Sequence, residues 1–250
     1  MLDAFPLTFA LGALASLIWL GVMETAPADR PGRGGVPTPI ARVDAGLAAL
    51  VGGLVGARVE YVGLHAPYFF QHVGQAISVW QGGLSLGGGA VGAGLAVWIF
   101  ARISRHRFGD MADCLAAPAA LVSFSVWFGC LMGGCAYGFH TLPGIFTAAA
   151  PDWLGVVVPR WPTQAAGAIY SLLVFGVLVF LGGVGWSRSR PGRLGALSLL
   201  LLAIGAAALG LTRADPVGTW LGLRADIFEA AALGVLALAG LAVLARPLSE

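Results

Sequence analysis

Seven long apolar stretches, at about 5 to 23, 40 to 62, 83 to 103, 111 to 132, 163 to 184, 194 to 212 and 225 to 245, dominate this chain. Each is long enough to cross hydrocarbon about 30 Å thick as a helix, which takes roughly 20 residues. Lipid offers no hydrogen bonds to the backbone, so segments of this length must satisfy their own amide groups as helices. The expected fold is an all-α polytopic membrane protein of about seven transmembrane helices, organised as a single domain over 1–250. Composition agrees, because only 10% of residues are charged where an ordinary soluble domain has about 25%.

The connections sort by charge. Arg30, Arg33 and Arg42 flank the first, Arg102, Arg105 and Arg107 the third, and Arg188, Arg190 and Arg193 the fifth, while Arg246 follows the last window. The alternate connections hold only Arg160, Arg213 and Arg224. Short cytoplasmic loops are arginine-rich, so the N-terminus is expected outside and the C-terminus in the cytoplasm. The first window lacks a basic flank and a clean small-residue cleavage site, and it is expected to remain a span. A net charge of +2 spread over loops provides no basic surface, which excludes nucleic acid as a partner.

Two connections are distinctive. The stretch from about 63 to 82 mixes aromatics with His65 and His72 and is expected to lie at the outer interface as an arm or short amphipathic helix. The stretch from about 134 to 162 carries Pro143, Pro151, Asp152, Trp153, Pro159 and Pro162. It is too broken for a span and is expected to form an outer cap. Residues 27–35 read as a cytoplasmic turn.

Within the windows, the glycines of GGLVGAR (52–58) and GGLSLGGGAVGAG (82–94) suit close helix packing in lipid. Arg58 lies inside the second window, where a cation is costly and calls for a polar cavity and a partner, Glu60 or Asp113, unless it snorkels to the interface. Asp110 and Asp113 open the fourth window, where a carboxylate suits a helix N-terminus. Cys130 and Cys135 lie five residues apart at the end of that window. On a continuous helix they occupy different faces, but Gly133 and Gly134 allow the helix to end and the chain to fold back. A disulfide, a thiol pair and simple packing as small apolar residues therefore all remain open. No histidine stands at zinc-finger spacing from them, although His140 follows Cys135, and no metal or cofactor is expected.

Five blocks in order, GARVEYV (56–62), WQGGLSLGGG (80–89), ADCLAAP (112–118), GCLMGGCAYG (129–138) and PRWPTQ (159–164), together with TRAD (212–215), resemble the prolipoprotein diacylglyceryl transferases. Members of that family transfer diacylglyceryl from phosphatidylglycerol to a lipobox cysteine of a prolipoprotein at the outer side of the bacterial inner membrane. The resemblance carries over Arg58, Asp113, Gly138 and Arg213 as lipid or headgroup candidates, and Gly82, Gly83, Gly88 and Gly89 as a glycine framework. Other family positions differ. Gly87 stands for a histidine, Trp127 and Cys130 for an arginine and an asparagine, Cys135 for a glutamate and Trp161 for a histidine. In 199–210 apolar or small residues replace a tyrosine, an arginine and a glutamate.

The resemblance implies a multi-pass inner-membrane transferase with phosphatidylglycerol and a prolipoprotein as partners. The departures leave two alternatives: a non-catalytic lipid-binding or assembly protein on the same scaffold, and a membrane thiol, redox or metal protein using Cys130 and Cys135 on the oxidising side.

Overall fold

The computed structural model describes residues 4–23, 37–151 and 154–246. The whole of the 27–35 turn with Arg30 and Arg33, and also Asp152 and Trp153, lie outside them. Among the described residues, seven helices are long and apolar enough to span a membrane: α1 (Ala4–Val22), α2 (Pro39–Leu64), α4 (Leu86–Ile103), α5 (Phe108–Gly133), α6 (Thr163–Gly183), α7 (Arg193–Gly210) and α8 (Ala225–Ala245). They run alternately up and down. One end of the bundle holds the N-termini of α1, α4, α6 and α8, and also the arm, built of α3 (Ala66–Gln71) and two 3-10 turns, Val73–Ile77 and Val79–Gln81. Two short hairpins belong to this arm end. One pairs β1 (Ala148–Pro151) with β2 (Val157–Arg160), and the other pairs β3 (Thr219–Trp220) with β4 (Leu223–Arg224).

The third span starts at Leu86, later than the apolar run implies. Gly82 and Gly83 have φ of 83° and 75°, a left-handed region that L side chains avoid, so they turn the chain before the helix can begin. Ser85 then donates its backbone N–H to the Ala57 carbonyl at 3.1 Å, tying the entry of α4 to α2.

Lipid supplies no hydrophobic drive between helices, so the bundle depends on close approach and hydrogen bonds. Leu7, Leu11, Leu14 and Ile18 of α1 are exposed at helical spacing and face outward. Inside, small residues meet. A methyl group added at Gly56 would meet the carbonyl oxygen of Gly88, and one added at Gly88 would meet that of Gly56; Gly52 and Gly92 are matched in the same way. Thus GxxxG faces GxxxG across α2 and α4. Hydroxyls stitch the other pairs: Ser16 Oγ donates to the Pro118 carbonyl (3.2 Å), Ser123 Oγ meets Ser171 Oγ (2.9 Å), and Ser198 Oγ donates to the Ala116 carbonyl (2.9 Å). Tyr170 Oη donates to the Leu201 carbonyl at 2.6 Å, linking α6 to α7.

At the opposite end, Asp113 accepts the backbone N–H groups of Gly192 (2.8 Å) and Gly195 (2.9 Å). It caps the N-terminus of α7, where orphan donors and the helix dipole favour a carboxylate.

Candidate functional site

One group of polar side chains gathers at the arm end of the spans. Arg58, on α2, is 7% exposed. Its Nε donates to the Ala76 carbonyl at 2.8 Å and its Nη2 to the Gln75 carbonyl at 2.6 Å. Nη1 donates to the carbonyls of Gly82 (2.6 Å) and Gly83 (3.0 Å). Four of the five guanidinium N–H groups therefore hold the arm and the turn before α4. The guanidinium also lies 5.7 Å from the Tyr61 ring centre and 5.3 Å from that of Phe69, within cation–π range. The partners expected from sequence, Glu60 and Asp113, are not its partners. Asp113 is at the other end of the bundle, and Glu60 turns to α4 instead. Among the described residues no carboxylate pairs with Arg58, so a buried cation without a counter-ion sits beneath the arm.

A cavity of about 370 Å³ opens beside it. Arg58, Tyr61 and His65 line it from the end of α2, Tyr68 and Phe69 from α3, and Gln75, Gly82 and Gly83 from the chain that follows. Tyr68 Oη donates to Gln75 Oε1 at 2.7 Å, and the His65 ring stacks on Tyr61 with centres 4.2 Å apart. A side chain at Gly83 would collide with Tyr61 and Arg58, so this glycine is required by the approach of the loop to α2.

Two carboxylates meet the first turn of α4. Glu60 accepts the Gly88 N–H, and Glu229 of α8 accepts the Gly87 N–H at 3.0 Å. A Cβ at Gly87 would lie 3.0 Å from a Glu60 oxygen. The point at which the family resemblance leads one to expect a histidine is thus bordered by acids from two other helices. Glu229 was not singled out from sequence, although an ionisable residue one turn after Asp226 in an apolar window was a usable signal. A Cβ added at Gly89 would lie 3.4 Å from that of Ala57, within the same α2–α4 contact.

The remaining candidates form a second group. Arg213 contacts Asp215 at 2.6 Å and Asp226 at 3.1 Å, while Arg224 contacts Asp226 at 3.0 Å and Asp215 at 3.4 Å. These four form a closed, neutral ring. Burial pushes the Asp215 carboxyl up, but the hydrogen bonds and charges of Arg213 and Arg224 outweigh it and hold the group below the usual carboxylate range. A lowered carboxyl contributes stability above its unfolded value, about 3.9, and loses that contribution as pH falls through the folded value. Melting temperature in detergent is expected to decline below about pH 4, and Asp215→Asn should reduce that acid-dependent decline.

Gly138 pairs with Arg213 in an antiparallel bridge, flanked by Phe139 N–H to the Thr212 carbonyl (3.0 Å) and Ala214 N–H to the Tyr137 carbonyl (2.9 Å). A side chain at Gly138 would strike the Trp161 carbonyl. Arg160, 7% exposed, lies 4.6 Å over the Tyr137 ring. Cys130 and Cys135 are joined as a disulfide, their Cα atoms 4.5 Å apart. Gly134, at φ 73°, makes the turn that brings them together, so the pair is a cross-link and not two free thiols. The sequence-derived candidates divide into four places: Arg58, Gly82 and Gly83 at the cavity, Gly88 and Gly89 in the α2–α4 contact, Arg213, Gly138 and the cysteines around the cap, and Asp113 at the far end.

Comparison with known proteins agrees with this architecture. The family model described as prolipoprotein diacylglyceryl transferase matches residues 2–245. Similar proteins described as phosphatidylglycerol–prolipoprotein diacylglyceryl transferases include those of three bacteria. That of Symbiobacterium thermophilum is 29% identical over 210 residues, covering 78% of this chain and 74% of the relative. That of Dehalococcoides mccartyi is 28% identical over 226 residues, covering 84% and 82%. That of Solidesulfovibrio magneticus is 32% identical over 189 residues, covering 70% and 68%. Matched over nearly its whole length, this multi-pass chain of the bacterial inner membrane belongs to the prolipoprotein diacylglyceryl transferase family.

Proposed function

We propose that the protein transfers the diacylglyceryl group of phosphatidylglycerol to the cysteine thiol of a prolipoprotein. The observation that carries this reading is the family match over residues 2–245, which takes in both polar groups at the arm end. In this reading 1–250 is one transmembrane domain, with the arm (about 63–82) and the cap (about 134–162) on the outer face. Support for that orientation comes from arginine placement. Arg42, Arg102, Arg105, Arg107, Arg188, Arg190, Arg193 and Arg246 lie at the end opposite the arm, as cytoplasmic loops prefer.

The reaction needs a site reached from lipid, a positive potential for the phosphate and a route for the thiol proton. Arg58 supplies a buried positive charge beside the cavity and draws the headgroup there by its field, since most of its donors already hold the arm. Arg213, neutralised within its ring, and Gly138 shape the cap that covers the site. Asp113 acts at a distance by fixing α7.

The test uses the purified protein in vesicles containing phosphatidylglycerol, supplied with a lipobox peptide. A peptide mass increase of one diacylglyceryl group is the expected result, and it should be absent from vesicles of phosphatidylcholine alone. Phosphatidylglycerol binding without product would overturn the reading in favour of a non-catalytic lipid-binding protein.

A further inference from the structure

We infer that His65 is the base that takes the substrate thiol proton in this chain, an assignment that rests on the transfer reading above. His65 follows the last turn of α2 and lines the cavity beneath the arm. Its Nδ1 lies 2.9 Å from the Tyr61 carbonyl. A carbonyl only accepts, so Nδ1 carries the hydrogen and Nε2 of the neutral ring keeps its lone pair. Stacking on Tyr61, with an interplanar angle of 28°, holds the imidazole in that orientation. The ring is exposed, so an incoming peptide can reach it without unfolding the arm.

The surroundings favour a thiolate. Arg58 shares the cavity and lacks a carboxylate partner among the described residues, and a nearby cation stabilises a thiolate and a phosphate leaving group alike. Among the described residues, the carboxylates at this end are engaged elsewhere, and His140, on the cap, does not line the cavity. Glu60 and Glu229 accept N–H groups of α4, and Asp215 and Asp226 are held by arginines. His72 has the same ring geometry, with Nδ1 3.1 Å from the Tyr68 carbonyl, but it does not line the cavity.

In the step, the thiol proton passes to His65 Nε2 and the sulfur attacks the glyceryl carbon that bears the phosphate. A C–S bond forms as the C–O bond breaks, and the electron pair leaves on the phosphate oxygen of glycerol phosphate. The imidazolium then returns its proton to water.

The test measures transfer in phosphatidylglycerol vesicles with a lipobox peptide for wild type, His65→Ala, His65→Gln and His72→Ala. Both His65 variants are expected to lose about 100- to 10,000-fold in rate, the usual contribution of a general base. Their melting temperatures should be unchanged, and added imidazole should restore part of the rate to His65→Ala. His72→Ala should match wild type. Wild-type rates in the His65 variants overturn the assignment, as does full activity of His65→Gln alone, because glutamine can replace the hydrogen bond but not the base. A wild type that transfers nothing overturns the transfer reading and the assignment together.

Discussion

A Gly56→Leu variant is expected to melt far below the wild type in detergent, by an amount corresponding to about 3 kcal/mol or more, at the upper end for overpacked sites. The reason is geometric. Gly56 lies directly against the backbone of Gly88, and even a single added carbon would meet the Gly88 carbonyl oxygen. This obstacle is main chain and cannot rotate away, so α2 and α4 would have to separate. Separation would also strain the Glu60 bond to the Gly88 N–H and the Ser85 N–H bond to the Ala57 carbonyl. Gly94→Ala provides the control. It lies in α4, the helix of Gly88, with nothing near its added carbon, and alanine is a better helix former by roughly 1 kcal/mol. If the two variants melt alike, the close approach of α2 and α4 does not hold the bundle together.

Arg58→Met is expected to release the arm. The substitution keeps the length of the side chain but removes every donor from the carbonyls of Gln75, Ala76, Gly82 and Gly83. A buried acceptor left without a partner costs about 1 to 3 kcal/mol, so water must enter and the segment must open. Amide exchange over residues 72–85 should accelerate, while that of α6 and α7 should not. Transfer should fall with it, because the cavity loses both its charge and one wall. Arg58→Lys should recover little, since an ammonium has three donors and cannot reproduce the planar fork. Unchanged exchange in Arg58→Met would show that the arm is held by its aromatic contacts instead.

Much of this architecture is legible in the chain. The seven apolar runs correspond to seven helices because lipid leaves a long apolar segment no other solution. The opposed GxxxG pairs follow from the same physics. Sequence does not reveal partners that are backbone atoms, and this is why Arg58 was expected to pair with Glu60 or Asp113. Any residue type offers a carbonyl, so four carbonyls leave no trace in composition. Asp113 illustrates a different limit. Capping is the right chemistry, but the N-cap of the capped helix, Gly192, lies 79 residues later, and only the packing of α5 against α7 brings the two together. At Cys130 and Cys135 the spacing left several outcomes open, and the left-handed turn at Gly134 decided among them. The cavity beneath the arm depends on Gly82 and Gly83 turning the chain back over α2, which a run of glycines read as helix packing did not disclose.

In the orientation proposed above, with the arm end outward, the Cys130–Cys135 cross-link also keeps a record of how the chain was inserted. It lies at the arm end, and such bonds form and persist where the compartment is oxidising. A molecule threaded into the bilayer upside down would leave these two sulfurs facing the reducing cytosol, unjoined and open to alkylation. Cys114, buried farther down the same helix and already free, serves as an internal reference for thiol counting. One free thiol per unfolded chain therefore marks a correctly oriented molecule and three mark an inverted one, so a mass measurement on unfolded, alkylated protein reads membrane orientation one molecule at a time.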